Sequence, residues 1–101
     1  MLVILFRVEV RPAKRRAFIA FIKKDARVAK RDEKGTRQFE LFRDPHNRHA
    51  FYVCEGYTNR AAFRIHQRNM PSKEWLTRVM PETVTKFDLL FEGQAIHSLR
   101  C

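Results

Sequence analysis

The stretch that decides the fold is residues 50–70, AFYVCEGYTNRAAFRIHQRNM. Its first part is dense in aromatic and β-branched residues, which suit a pleated, half-buried strand. Asn59 then makes a good N-cap, because its side-chain oxygen can accept a free backbone N–H of the first helical turn. One face of the helix that follows collects Ala62, Phe63, His66 and Met70. The stretch therefore predicts a strand and a helix that delivers one titratable group, and we expect any chemistry of this protein here.

The length and composition predict one small domain over residues 1–101 with a thin hydrophobic core. The two cysteines, Cys54 and Cys101, do not make a disulfide framework, which fits a reducing compartment. The apolar N-terminus MLVILF is interrupted by Arg7 and Glu9, and no run approaches the roughly 18 apolar residues of a membrane span. We therefore expect a cytoplasmic protein with neither a signal peptide nor a membrane span.

The formal net charge of +10 is concentrated between residues 11 and 31, where nine basic residues face a single acid, Asp25. Such a run is usually the solvated face of a helix. The alternative is a surface that attracts nucleic acid or anionic substrates. The sequence leaves the purpose of this basic helix open.

Hydrophobic periodicity predicts strands over residues 2–10, 36–44, 48–57 and 85–96. It predicts helices over residues 13–31, 59–67 and, more briefly, 72–79, with Pro81 ending or kinking the last one. In the last strand, the pattern places Phe87, Leu89 and Phe91 on one face and Leu90 on the other. The order βαββαβ is the ferredoxin-like arrangement, an α+β fold whose antiparallel sheet carries its helices on one face.

The second face of the predicted sheet has no helix to cover it. It carries Val3, Leu5 and Leu90, and leaving these in water would expose a large apolar patch. We therefore expect a homodimer in which the two open faces pack together.

Five short segments carry a resemblance to a known family, and together they span most of the chain. They are residues 8–15 (VEVRPAKR) with Phe18, 39–45 (FELFRDP), 51–57 (FYVCEGY), 59–63 (NRAAF), and His66 upstream of Pro71 and Trp75. In their order and spacing they resemble the antibiotic biosynthesis monooxygenase family of dimeric α+β barrels. The resemblance implies a small enzyme that oxidises activated polyphenols or quinols with O2 and uses no metal, flavin or other cofactor.

Relatives of the same fold suggest two other activities. Some isomerise a phosphorylated dione in autoinducer-2 breakdown, and others degrade haem. The haem-degrading branch is disfavoured, because its strand-one Asn has no counterpart in residues 4–7. Two further departures concern the pocket: residues 55–57 read EGY where the family usually has Glu-Glu-Trp, and residues 69–72 read NMPS where it usually has Ser-Pro-His-Phe, so a second His is missing.

His66 is the candidate catalytic residue. Neutral imidazole near pH 7 could take a proton from a phenol or an enolisable ketone. Deprotonating an electron-rich quinol makes a carbanion-like species that can reduce O2 itself. The alternative is a core histidine that only donates a hydrogen bond.

The candidate substrate-binding residues are Glu55, Tyr52, Tyr57, Trp75, Arg7 and Arg37. Glu55 could orient a histidine or form an ion pair with one of the two arginines. The tyrosines could bond a substrate oxygen, and the tryptophan could wall the pocket, although each could equally be a core or rim contact. The arginines could hold a phosphate or phenolate, or point into solvent.

Other motifs predict no site. His46 and His49 form an H-x-x-H in a turn without a third ligand nearby, so we expect no metal centre. Cys54 is expected to be a buried structural thiol. Residues 48–55 (RHAFYVCE) lack most of the pattern with which an RNA-recognition module stacks bases, so we do not expect a nucleic-acid partner. A monooxygenase, a dione isomerase and a non-catalytic binding module remain open.

Overall fold

The computed structural model describes residues 1–97 and contains four strands and four α-helices. In chain order these are β1 (Leu2–Val10), α1 (Arg15–Asp32) after a 3₁₀ turn (Pro12–Lys14), β2 (Thr36–Arg43), β3 (Ala50–Tyr57), α2 (Arg60–Gln67), α3 (Met70–Glu74), a π-helical turn (Trp75–Val79), α4 (Met80–Thr83) and β4 (Val84–Gln94). The strands form one antiparallel sheet in the order β2-β3-β1-β4. The predicted α+β ferredoxin-like fold is thus confirmed.

The helices cover one face of the sheet, as the period-two pattern of β1 requires. Leu2, Ile4, Phe6, Val8 and Val10 are buried on that face, while the residues between them are only half-buried. From α1, Phe18, Phe21 and Ile22 pack into the same core. The hydrophobic core therefore lies between the sheet and α1, and it is closed at one end by α2 and the π-helical turn.

Asparagine caps fix the start of two helices beside the core. The Asn59 side chain accepts from the backbone N–H of Ala62 at 2.9 Å, as predicted, and begins α2. Asn69 accepts from the backbone N–H of Ser72 at 2.8 Å and begins α3. Glycine at position 35 lets the start of β2 approach α2 closely, since a Cβ there would collide with the Cβ of Ala62. These contacts set where α2 lies on the sheet.

The chain between α2 and β4 is more helical than predicted. The short helix expected over residues 72–79 begins at Met70 and continues through the π-helical turn into α4, which ends at Thr83. Pro81 lies in the first turn of α4, directly after the π-helical turn, where the regular α-helical hydrogen-bond pattern is already interrupted. Pro81 therefore does not end the helix as one reading predicted, and a π-helical turn lies just before it.

The face assignment predicted for β4 is wrong beyond Leu90. Phe87 lies opposite Val8, Leu89 opposite Phe6, and both are on the helix-covered face. A bulge at Leu90 inserts an extra residue, so that Phe91 pairs with Leu5 on the open face instead. The open face thus carries Val3, Leu5 and Phe91, and about half of the Phe91 surface is exposed at 52%.

Candidate functional site

A cavity of about 310 Å³ lies between the sheet and the helices. Five aromatic side chains contribute to its wall: Phe6, Phe39, Phe63, Trp75 and Phe87. The Phe6 ring stacks against Phe87 with centroids 5.1 Å apart, and Trp75 lies 6.2 Å from Phe6 and 6.1 Å from Phe21. A largely apolar cavity with few polar groups is the usual form of a small-molecule site.

His66 is the best-defined polar group of this cavity. It lies in the last turn of α2, is only 5% exposed, and its Nδ1 is 2.8 Å from the Glu33 Oε1. Glu33 also accepts from the Thr36 hydroxyl at 2.6 Å and from the side-chain amide of Asn69. A carboxylate that accepts from two such donors acts as an acceptor toward the imidazole as well, so the hydrogen-bond network assigns the proton to Nδ1. The other ring nitrogen, Nε2, is then the basic one.

Two more buried carboxyls surround Nε2. The Asp25 Oδ2 lies 3.7 Å from it and the Glu55 Oε1 lies 4.0 Å from it. Both distances exceed a hydrogen bond, so each group is near the imidazole without being bonded to it. Glu55 accepts from the Tyr57 hydroxyl, whose ring lies 5.5 Å from that of His66. Nε2 is therefore left with no hydrogen-bond partner among residues 1–97.

Burial makes these carboxyls weaker acids than usual. It raises the pKa of Asp25 to about 6, an effect that the nearby His66 opposes and Glu33 reinforces. Burial also raises the pKa of Glu55, although the hydrogen bond from Tyr57 acts the other way, as does His66 whenever its ring is protonated. The pKa of Tyr57 is raised far above its ordinary value, by burial and then by Glu55, so its hydroxyl stays a donor. A cluster of this kind, with perturbed acids around an imidazole, is typical of proton-transfer sites.

Of the residues predicted for the site, the structure brings four together. His66, Glu55 and Trp75 line the cavity, and Tyr57 supports Glu55 from the buried side. β3 positions the carboxyl and the phenol on its helix-covered face, as its alternation predicts. Their roles toward a substrate remain predictions.

The other three predicted residues lie elsewhere. Arg7 is on the open face, where it pairs with Glu9 at 2.7 Å and Asp44 at 3.3 Å. Tyr52 lies opposite Arg7 in the sheet and donates to Asp44 at 3.1 Å. Arg37 is exposed in β2. None of the three lines the cavity.

The minor motifs stay away from the cavity too. Cys54 was expected to be buried but is only half-buried, opposite Leu5 on the open face, and partial burial raises the pKa of its thiol. Cys101 lies outside the described residues. Within residues 1–97 no group of three or more His, Cys, Asp or Glu side chains has the arrangement of a metal site.

Asp25 and Glu33 are the site residues that sequence reasoning missed. Asp25 had a signal, since it is the one acid in the basic segment and falls on the apolar stripe of α1. Glu33 gave none, because it follows the last helical residue and reads as an ordinary solvated charge before a glycine. Only the fold brings it against α2.

The fold and cavity define a small ferredoxin-like domain with a buried histidine–carboxylate site. The model of the antibiotic biosynthesis monooxygenase family matches residues 1–78, and the chain belongs to that family. No curated protein matches the sequence. Within residues 1–97, no helix has the length and apolarity needed to cross a membrane.

Solved structures are similar over nearly the whole chain. A candidate antibiotic biosynthesis monooxygenase from Bacteroides thetaiotaomicron has a TM-score of 0.86 at 20% identity and covers 99% of this chain and 94% of its own. A candidate of the same kind from Deinococcus radiodurans has a TM-score of 0.84 at 14% identity, with 100% and 98% covered. A protein from Shewanella oneidensis has a TM-score of 0.81 at 22% identity, with 91% and 89% covered. At these identities the likeness shows the fold.

Proposed function

We propose that this protein is a monooxygenase that acts with O2 on a small quinol or polyphenol and needs no metal or organic cofactor. One observation carries the proposal: a buried histidine lines an aromatic cavity, Glu33 fixes its tautomer, and the nitrogen left basic lies beside Asp25 and Glu55, which line the same cavity. Family membership makes a monooxygenase the first reaction to consider for such a site.

In the proposed reaction, His66 Nε2 takes the proton of a phenolic hydroxyl, and the positive charge that forms on the imidazole is stabilised by the Glu33 carboxylate. The electron-rich phenolate transfers an electron to O2, and a C–O bond then forms between an unsubstituted ring carbon and the reduced oxygen. The imidazolium returns its proton to this peroxide, which gives a hydroperoxide and the neutral base. Loss of water from the resulting hydroperoxide leaves a quinone carbonyl. One oxygen atom of O2 enters the product, the other leaves as water, and the substrate supplies all four electrons.

The charge of the cavity favours a neutral phenol over the phosphorylated dione of the alternative isomerase. Its described lining includes Asp25, Glu55 and Glu92 and contains neither Lys nor Arg. A phosphate dianion would lie among these carboxyls, which is electrostatically unfavourable, and Arg60, which lies outside the lining, is already paired with Glu92 at 3.0 Å. The isomerase remains the second candidate, since the same histidine could move the proton of a neutral hydroxyketone.

Oxygen uptake tests the proposal. Purified protein is mixed with quinols and polyphenols in the presence of a chelator, and the rate is compared between the wild type, His66→Ala and His46→Ala. Removing a general base typically costs about 10²–10⁴-fold in rate. We expect that loss for His66→Ala and wild-type rates for His46→Ala, whose histidine is exposed in the β2–β3 turn. Circular dichroism verifies the fold of both variants. Turnover that survives His66→Ala would remove this residue from the mechanism.

The partner we propose is a second copy of the chain, packed open face to open face. Phe91 lies on the open face of the sheet and is 52% exposed, and Leu90 lies beside it at the sheet edge and is 50% exposed. The helices do not cover either residue. Sedimentation of the wild type should show a dimer at micromolar concentration, and Phe91→Glu should shift it toward the monomer. Ile65→Glu is the matched control, because Ile65 is equally exposed, at 55%, but on α2. A wild-type monomer at that concentration would exclude the dimer.

A further inference from the structure

Asp25 is a buried hydrogen-bond acceptor that lacks a donor. It is 5% exposed and lines the cavity. Its Oδ1 is buried without a hydrogen-bond partner among residues 1–97, and its Oδ2, which lies near the imidazole, forms no hydrogen bond within the same residues. Buried carboxyls are normally satisfied by hydrogen bonds, and leaving one without a donor is costly. Glu33 and Glu55 differ in this respect, because each already accepts from neighbouring side chains. Asp25 is thus the uncommitted acceptor of the cluster.

Two hydrogen-bond acceptors, His66 Nε2 and Asp25 Oδ2, lie side by side in the cavity at a fixed spacing. The Asp25 Oδ2 lies 3.7 Å from His66 Nε2, too far for a direct hydrogen bond and too close for a ring to fit between them. Two hydroxyls on adjacent carbons of an aromatic ring have their oxygens about one hydrogen-bond length apart. Each hydroxyl can therefore donate to its own acceptor. Hydroxyls on opposite carbons are separated by the whole ring, so only one of them can reach this pair.

We infer that His66 Nε2 and Asp25 Oδ2 together bind two hydroxyls on adjacent ring carbons, so that the substrate class is an ortho-dihydroxy aromatic. The inference rests on the proposed function for the use of this cavity as a substrate site. The aromatic walls formed by Phe6, Phe87 and Trp75 suit the ring of such a ligand. In this arrangement His66 receives the proton of one hydroxyl, and Asp25 accepts a hydrogen bond from the other and holds the ring in place.

Anaerobic binding measures this preference without any turnover. The chain has one tryptophan, and Trp75 lines the cavity, so quenching of its fluorescence reports occupancy. The probes are 2,3-dihydroxynaphthalene, 1,4-dihydroxynaphthalene and 2-naphthol, which share one ring system and differ in their hydroxyls. We expect 2,3-dihydroxynaphthalene to bind about tenfold or more tightly than the other two, because it alone adds a hydrogen bond to a charged acceptor.

Asp25→Asn is the matching variant, since it keeps the shape of the side chain and removes its charge. It should bring the affinities for the three probes to within about threefold of one another, and leave the affinity for 2-naphthol unchanged. Asp32→Asn, on the same helix but exposed and paired with Arg31, should keep the wild-type preference. The comparison of probes on the wild type does not depend on how either variant folds.

The outcomes separate this inference from the proposed function. Equal affinity of the wild type for the three probes, or no binding of any of them, would overturn the inference. A preference that Asp25→Asn retains would overturn the role of Asp25. His66-dependent oxygen uptake on para-quinols alone would leave the monooxygenase standing and refute the ortho-dihydroxy class. A preference for the ortho-diol without oxygen uptake would support the binding mode and refute the oxygenase.

Discussion

Replacing Glu33 by glutamine tests whether this carboxylate controls the protonation of the catalytic imidazole. Its Oε1 accepts from the Thr36 hydroxyl and from His66 Nδ1, and its Oε2 accepts from Asn69. In Glu33→Gln one of these acceptors becomes an NH2 donor. If the NH2 faces Asn69, two donors oppose each other, and Asn69 cannot turn its amide without losing the cap of α3. If the NH2 faces His66, the ring must carry its proton on Nε2, which removes the base.

Each of the two arrangements should produce a measurable loss, either of stability or of turnover. A buried donor left without an acceptor costs roughly 1–3 kcal/mol of folding free energy. A domain of this length gains only about 5–15 kcal/mol on folding, so the loss is a large fraction of the total. When the imidazole proton moves to Nε2, turnover should fall by about 10²-fold or more, as it does when a general base is lost. Stability and turnover should therefore both decrease, in a proportion that reports which arrangement prevails.

Three measurements on one preparation check this prediction. Urea denaturation gives the change in stability, oxygen uptake gives the change in rate, and the ¹⁵N shifts of the His66 ring show which nitrogen is protonated. Glu82→Gln is the control, because Glu82 is exposed and its carboxylate lies 4.0 Å from Arg78. Arg11 donates to the backbone carbonyl of Glu82, which glutamine keeps, so the variant should change stability by less than about 0.5 kcal/mol. If Glu33→Gln matched the wild type in stability and rate, or if the wild-type ring carried its proton on Nε2, the assigned tautomer would be wrong.

Three further predictions concern the supports of the site. The folded pKa of Asp25, about 6, exceeds its ordinary value of 3.8, so the folded protein binds more protons between about pH 4 and 6 and loses stability as the pH rises through that window. Asp25→Asn should remove this loss, gaining up to roughly 3 kcal/mol at pH 7 in urea denaturation, and an unchanged pH profile would contradict it. Asn69→Ala should lower the urea midpoint more than Asn59→Ala. Each variant loses a helix cap worth about 1 kcal/mol, but only Asn69→Ala also removes a hydrogen bond to the Glu33 carboxylate. Equal effects of the two variants would argue against that hydrogen bond. Gly35→Ala should destabilise the folded protein by roughly 1–3 kcal/mol and slow turnover, because the new Cβ collides with Ala62 of α2. In Gly93→Ala the new Cβ meets the Phe91 ring, which can move, so the thermal unfolding temperature should shift less.

The fold was predictable because local signals agree with one another. The alternation of apolar residues in β1 identified its buried face, and the cap at Asn59 identified the start of α2. The order of the elements then matched one common architecture. The errors lie where a backbone irregularity intervenes. The bulge at Leu90 moves Phe91 to the other face, and the π-helical turn before Pro81 carries a helix through what reads as its end. Neither irregularity can be detected from hydrophobic periodicity, because each is a single local departure from the regular strand or helix period.

The site was predictable only in part, for a reason of distance along the chain. Glu55 and Tyr57 are two residues apart on one strand face, and alternation alone puts them together. Glu33 and His66 are brought to 2.8 Å from 33 residues apart, by the packing of α2 against the start of β2. Periodicity within one element cannot reveal such a pair. Arg7 does not reach the cavity because it shares the open face with Val3 and Leu5, which the alternation of β1 already separates from the helix-covered face, and Arg37 is exposed in β2.

The overall charge of the chain and the charge of its cavity have opposite signs, and α1 shows how. The helix turns its cations outward, and along its buried stripe it places Phe18, Ile22 and one acid, Asp25. With a period of 3.6 residues, every buried position is surrounded in sequence by exposed ones, so a strongly basic segment can deliver a single carboxyl to the interior. A net charge of +10 therefore describes the outer surface and carries no information about the substrate. The ligand meets an acidic, aromatic lining, which is the environment that selects a neutral molecule able to donate hydrogen bonds.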